Sequence, residues 1–235
     1  MVDKNNTELE KVRKQPEFKN LTDSEFYELS QHFYKRTYKK GQVLFDCGDK
    51  RNRLYHLVEG AVKCERIDPS GDYFYLNFHK QEAFFPYVGL FSDYAYDYTV
   101  QALTDIEVYY FPTEVFEKVA KQNNDEMMYL ITTLSEILKQ HILKIQCCVT
   151  SSAADRIRYS LALLMVRLGE KNYYGEVEVP YPILLNDISR SSGATRETTS
   201  HVIKKLVDEK KISYKHKYLT YHDLAFFDLD FSCDF

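Results

Sequence analysis

Between Thr195 and Lys217 the chain concentrates side chains whose chemistry suits a nucleic acid. At helical spacing, Arg196, Glu197, Ser200, His201 and Lys204 fall on one outward stripe, while Thr199, Val202, Ile203 and Leu206 fall on an inward, apolar one. Two charged groups in the first turn stand where a helix laid in a DNA groove meets base edges. Thr195, just ahead of them, has the side chain of an N-cap. Ile212 to Leu219 reads as a hairpin with Lys215, His216 and Lys217 at its tip, cations placed to meet phosphates. The bland alternative is an amphipathic helix whose charged face is only wet. It leaves a glycine corner, a capped helix and a basic hairpin tip, in that order, without a reason.

The elements that position this row are legible on either side of it. Leu184 to Ile188 has the pattern of a short helix, and Ser191-Ser192-Gly193 is expected to break it. Gly193 suits the positive-φ corner between two helices packed at a steep angle. Charge supports the same division. The whole chain carries −4, yet residues 183–217 hold eight Lys and Arg against four Asp and Glu, while residues 218–235 hold four Asp and no Lys or Arg. A local basic footprint inside an acidic chain is what a phosphate-facing surface needs.

Upstream, Thr22 and Glu25 have the spacing of a capping box, which predicts a helix over Asp23 to Lys35 with Phe26, Leu29 and Phe33 on one stripe. From Tyr38 to Phe111 short β-rich runs alternate with turn signals at Gly41, Gly48, Gly60 and Asp68-Pro69-Ser70-Gly71. Strands over Leu54–Val58 and Asp72–Leu76, spaced about ten residues apart, indicate a small antiparallel barrel or roll. Phe84, Phe85, Tyr87, Phe91, Tyr94, Tyr96 and Tyr98 either fill that roll or line a pocket in it. A short helix near Thr113 precedes a long one over Asn124 to Val149. Along it Met127, Ile131, Leu134, Leu138, His141, Ile145 and Cys148 alternate four and three apart, the seam of a coiled coil between two copies. Ser152 and Asp155 cap a further helix to Leu168, Asn172 to Pro182 reads as a hairpin turning at Tyr174-Gly175, and the run from Leu224 to Phe231 docks on the C-terminal part. The fold class is α+β: a helix and β-roll sensor over 1–122, a dimerisation helix over 123–150, and a winged helix-turn-helix with its tail over 151–235.

Several functions are excluded by what these residues lack. The polar start has no signal peptide and the run Leu161 to Val166 is far too short to cross a bilayer, which makes the cytoplasm the expected compartment. Five cysteines without paired spacing give no disulfide framework, and none lies ahead of Cys47 to start a metal cluster. Cys147-Cys148, flanking the seam, is the one place where a redox role is conceivable. The seven histidines are scattered without the HxH of a cupin metalloenzyme, and no phosphate loop, GxSxG or HExxH occurs. No catalytic residue, metal ligand or cofactor is expected.

The run Asn186-Asp187-Ile188-Ser189 through Gly193-Ala194-Thr195-Arg196-Glu197-Thr198 resembles the helix-turn-helix of the CRP/FNR family of bacterial transcription regulators. Lys40-Gly41-Gln42-Val43-Leu44, Leu57-Val58-Glu59-Gly60 and Gly89-Leu90-Phe91 fall at that family's spacing, so the resemblance covers roughly residues 20–220. It implies a homodimer on a two-fold symmetric double-stranded DNA site, with RNA polymerase as a further partner. By the resemblance, Arg196, Glu197 and His201 are the base readers: Arg196 donates two hydrogen bonds to a guanine and Glu197 accepts from a cytosine N4, as in readers of TGTGA-type half-sites. His201 departs from the Arg usual there. The family's Gly-Glu and Arg-Ser clamps for cAMP fall on Pro86-Tyr87 and near Tyr96-Asp97, and no Arg or Lys occurs between Gln81 and Glu117. A buried phosphate with no cation opposite is strongly disfavoured, so cAMP is not the expected effector and the effector is unassigned. The chain resembles members without a cyclic-nucleotide site found in low-GC Gram-positive bacteria, among them regulators of arginine catabolism and of virulence. A cyclic-nucleotide-like module regulating a partner protein is the alternative, weakened by the missing clamp and by the helix-turn-helix.

Overall fold

The computed structural model describes residues 9–71, 74–150 and 152–228, without the side chains of Cys148 and Thr150. By packing it forms two compact units: residues up to Gly60 with Gln81–Lys139, and Ala61–Lys80 with the residues from Gln140 onward.

In the first unit, helix α1 (Asp23–Ser30) begins at the expected capping box. Thr22 accepts from the Glu25 N–H, and Glu25 accepts from the Thr22 N–H at 2.7 Å. The helix is shorter than the sequence suggests. Tyr34–Tyr38 forms strand β1 instead, registered along β8 (Ile106–Pro112) from Tyr34↔Tyr110 to Tyr38↔Ile106. Ladder hydrogen bonds and the stacked Tyr34–Tyr110 rings, 5.4 Å apart, outweigh a local helical preference here. The sheet runs β1-β8-β3-β6, with β3 (Arg53–Glu59) central and β6 (Phe84–Phe85) at the edge; β2 (Val43–Phe45) pairs with β7 (Thr99–Ala102). Gly60 closes the turn after β3 at φ 85°, where an added Cβ would lie 2.5 Å from the Asp105 carbonyl oxygen.

The roll is filled by its aromatics. Phe84, Phe85, Tyr96 and Tyr98 are buried, whereas Tyr94 stands in solvent. Phe18 meets Phe84 and Phe111 edge-on about them, and Phe116 of α2 (Thr113–Gln122) closes the cluster. Helix α3 (Asn124–Thr150) follows. Its seam residues Ile131, Leu134, Leu138 and Ile145 are exposed, Met127 and His141 are half-buried, and the Cys148 side chain lies outside the described residues. Cys147 is half-buried.

In the second unit, the hairpin β4 (Ala61–Ile67) and β5 (Phe74–Lys80) pairs in full register. Residues 72–73 of the expected second strand lie outside the described residues. Helices α4 (Ala153–Leu168) and α5 (Leu185–Ser192) pack against β5. The Lys80 ammonium donates to the Gly169 carbonyl at 3.0 Å, and the Arg190 guanidinium lies 4.5 Å over the Phe74 ring. Ile157, Leu161, Ile188, Ile203, Ile212 and Tyr221 form the core. The tail docks as expected as far as it is described: Phe227 is buried edge-on to Tyr221. Residues 229–231 of that run lie outside the described residues.

Candidate nucleic-acid interface

The site is built on helices α5 and α6 (Arg196–Asp208) and the corner between them. Ser191 and Ser192 do not break α5, as their types suggest they should; they are its last helical residues. The Ser192 hydroxyl, buried, donates to the Ile188 and Ser189 carbonyls, so its polar atom is satisfied inside the helix. Gly193 is the actual stop, in the left-handed region at φ 58° and ψ 32°, with its N–H returned to the Arg190 carbonyl. An added Cβ would meet nothing within 4 Å there, so glycine is demanded by backbone angle alone.

Thr195 then caps α6: its Oγ1 accepts from the Thr198 N–H at 3.2 Å. The inward stripe lies as the sequence predicts, with Thr199, Ile203 and Leu206 buried and Val202 half-buried. The buried Thr199 hydroxyl donates to the Thr195 carbonyl at 2.9 Å. One support was not legible from spacing. Arg156, on α4, reaches across to donate to the carbonyls of Ser192 and Gly193 at 2.9 and 3.2 Å. It satisfies the open carbonyl end of α5 and holds the corner from outside the motif.

The outward residues are brought together. Arg196, Glu197, Ser200, His201 and Lys204 line one shallow depression of about 510 Å³ with Leu185 of α5. All five are exposed, and none makes an ion pair among the described residues, unlike Lys205 on the flank, which pairs with Glu209. Strands β11 (Ile212–Lys215) and β12 (Tyr218–Tyr221) form the expected hairpin, in a sheet ordered β11-β12-β10-β9 with β10 (Val177–Val179) and β9 (Glu170–Lys171). Its tip turns through His216 and Lys217 at φ 51° and 74°, two consecutive left-handed residues, as a two-residue type I′ turn requires. Lys215 and Lys217 are exposed there. The Tyr214 hydroxyl donates to the Ile183 carbonyl at 2.8 Å and the Tyr221 hydroxyl to the Leu161 carbonyl at 2.7 Å, which tie this wing to the helices.

Tyr87 and Tyr96, where the resemblance sets the cAMP clamps, make contacts within the protein. The Tyr87 hydroxyl donates to the Glu17 carboxylate at 3.0 Å. Tyr96 is stacked on Phe45 with ring centres 3.8 Å apart, and its hydroxyl donates to the Arg53 carbonyl. Among the described residues no three His, Cys, Asp or Glu side chains gather as a metal ion would need, and no helix is long and apolar enough to cross a membrane.

The model of the cyclic nucleotide-binding domain matches residues 35–123. A roll of that type followed by a winged helix-turn-helix defines a class of one-chain transcription regulators. The HTH-type transcriptional regulator ArcR of Staphylococcus epidermidis is 31% identical over 178 residues, 74% of this chain and 76% of that one. ArcR of Staphylococcus aureus is 30% identical over 184 residues, 77% of each chain. Two solved structures share the fold: FixK2 from Bradyrhizobium japonicum, with TM-score 0.71 and 18% identity over 83% of this chain and 95% of that one, and a CRP/FNR-family regulator from Thermus thermophilus, with TM-score 0.64 and 23% identity over 83% and 96%. The chain belongs to the CRP/FNR family of transcription regulators.

Proposed function

We propose that this regulator binds DNA sequence-specifically as a homodimer, on a palindromic TGTGA-like site, and does so without cAMP. The single observation that carries the reading is the outward row on α6. Arg196, Glu197, Ser200, His201 and Lys204 stand exposed, unpaired among the described residues and in one depression, on a helix whose first turn is capped by Thr195 instead. Side chains kept free of one another have their hydrogen-bonding capacity available for a partner. In this reading the Arg196 fork meets guanine O6 and N7, and Glu197 accepts from cytosine N4. Thr195, Ser200, Lys204, Lys215 and Lys217 position the backbone phosphates. His201, shorter than an Arg, reads its base step weakly. The uncovered apolar row of α3 supports dimerisation, since a monomer seldom leaves such a stripe in water. RNA polymerase is the expected protein partner and the cytoplasm the expected compartment. Independence from cAMP rests on Tyr87 and Tyr96, which are committed to structural contacts where the nucleotide's ribose and phosphate would need a carboxylate and a cation.

In vitro selection from random DNA by the full chain, with no nucleotide added, tests this. The expected result is a symmetric pair of half-sites one helical turn apart, bound with a steep salt dependence, unchanged by millimolar cAMP. Enrichment only in the presence of cAMP overturns the cAMP-free reading. No enrichment under either condition overturns the reading of α6.

A further inference from the structure

On the solvent face of the wing sheet, one side chain of β11 and those just before β10 and just after β12 line up as a relay that neither the family nor the DNA-binding reading uses. The Ser213 hydroxyl lies 2.7 Å from His222 Nε2, and His222 Nδ1 lies 2.7 Å from Glu176 Oε1. The register explains the alignment. Ser213 and Glu178 both face Thr220 of β12, and Val177 faces Tyr221, so the next residue, His222, comes opposite Glu176 and on the same face as Ser213. Glu176 is itself oriented: the Asn172 amide donates to its second oxygen at 3.1 Å and to Glu178 at 2.8 Å. These hydrogen bonds, Asn172 first and His222 next, hold its carboxyl below the usual range, so it stays an acceptor. A carboxylate on Nδ1 fixes the tautomer that leaves Nε2 bare, which is the form able to take the proton of the serine hydroxyl.

We propose that Ser213 is an activated nucleophile and an acyl-acceptor site, with His222 as its general base and Glu176 as the residue that orients the base. The relay is open to solvent: the His222 and Glu176 side chains are about one-third exposed and Ser213 is half-buried. Its substrates are therefore small activated acyl compounds, such as aryl esters. Ser213 Oγ adds to the carbonyl carbon while its proton passes to His222 Nε2. The tetrahedral adduct then collapses, the C–O bond to the aryloxide breaks, and the leaving group takes that proton. Acyl-Ser213 and a phenol result, and water activated by the same imidazole returns free serine and a carboxylic acid. Strand β11 is the edge of its sheet. The Lys211 carbonyl accepts from the His222 N–H, so the ladder's alternation directs the Ser213 N–H to Thr220 and the Tyr214 N–H off the free edge. Tyr214, next to the nucleophile, thus offers one backbone donor to the developing oxyanion, against the two or more of efficient acyl-transfer sites. Acylation is accordingly slow, and one turnover is the event to measure.

The test uses the full chain with p-nitrophenyl acetate and reads both p-nitrophenolate release and the acetylated peptide by mass spectrometry. The expected result is slow release in proportion to the amount of chain, with the acetyl group found on Ser213 in samples quenched during the reaction. Ser213→Ala should abolish that release, and His222→Gln should slow it by about 100-fold or more. Glu176→Gln, which leaves the imidazole present but unoriented, should slow it by a smaller factor. Thermal unfolding of each variant establishes that it folds. If Ser213→Ala does not fold, Ser213→Cys serves, with the acetyl group then expected on sulfur and the same loss on adding His222→Gln. Acetyl found only on lysines, or a Ser213 rate equal to that of the urea-unfolded chain, overturns the proposal.

Discussion

Replacing Glu126 by Gln should remove a pH dependence built into the base of helix α3. Glu126 sits in the first turn of that helix, fully buried, and neither carboxylate oxygen has a hydrogen-bond partner among the described residues. Burial, then the nearby Glu17 carboxylate, push its pKa up to about 8 from the ordinary 4.5. The folded chain therefore keeps a proton that the unfolded chain releases. The stability it contributes is complete below the unfolded value and is lost as pH rises through the folded one, a window from 4.5 to about 8. At ~1.4 kcal/mol per pH unit, the cost of the carboxylate is roughly 1 kcal/mol at pH 5 and about 3 kcal/mol at pH 7. Glutamine has the same shape, no proton to lose and no such window. His56 and His79, lowered by burial to about 4 and about 3, act in the opposite sense on the acid side, and comparison with the variant cancels them. Urea unfolding of both proteins at pH 5, 6, 7 and 8 should show Glu126→Gln gaining on the parent by ~2 kcal/mol between pH 5 and 7. Parallel curves would refute the reasoning.

Gly193→Ala should cost about 1–2 kcal/mol, read as a lower urea midpoint, because the penalty is the left-handed backbone alone. A larger loss would reveal a clash the open surroundings of Gly193 do not contain. Arg156→Ala releases two carbonyls at the helix corner and should cost about 1.5–3 kcal/mol in urea unfolding while weakening DNA binding, although the residue lies outside the motif. Leu134→Asp with Leu138→Asp should give monomers by sedimentation and remove specific DNA binding; a double variant that stays dimeric places the interface elsewhere.

The helix-turn-helix was the most legible part of the sequence because its constraints are local. A positive-φ corner needs Gly193, a helix start needs Thr195, and a 3.6-residue period separates Thr199, Ile203 and Leu206 from the outward row. The roll was legible as short strands between turns, but the start of β1 was not: Tyr34 and Lys35 continue a helical stripe until β8 is present to pair with them. Ser191 and Ser192 misled for a related reason, since their hydroxyls find acceptors inside α5 itself. Arg156, Glu126 and the Ser213–His222–Glu176 relay were invisible, because each depends on contacts between residues far apart in the chain. Scattered histidines carry no signal until a sheet register brings one of them opposite a carboxylate.

The central claim, that α6 reads bases while the wing grips phosphates, is tested most directly by Arg196→Ala against Lys215→Ala and Lys217→Ala. Affinities for a panel of single-base variants of the selected site, measured at fixed salt and across a salt series, separate the two kinds of contact. Arg196→Ala should lose about 1–3 kcal/mol and relax discrimination at one base pair alone. Each wing substitution should weaken every site about equally and reduce the salt slope by roughly one ion. A flat, sequence-independent loss for Arg196→Ala would mean that α6 does not lie in the major groove, and would contradict the account.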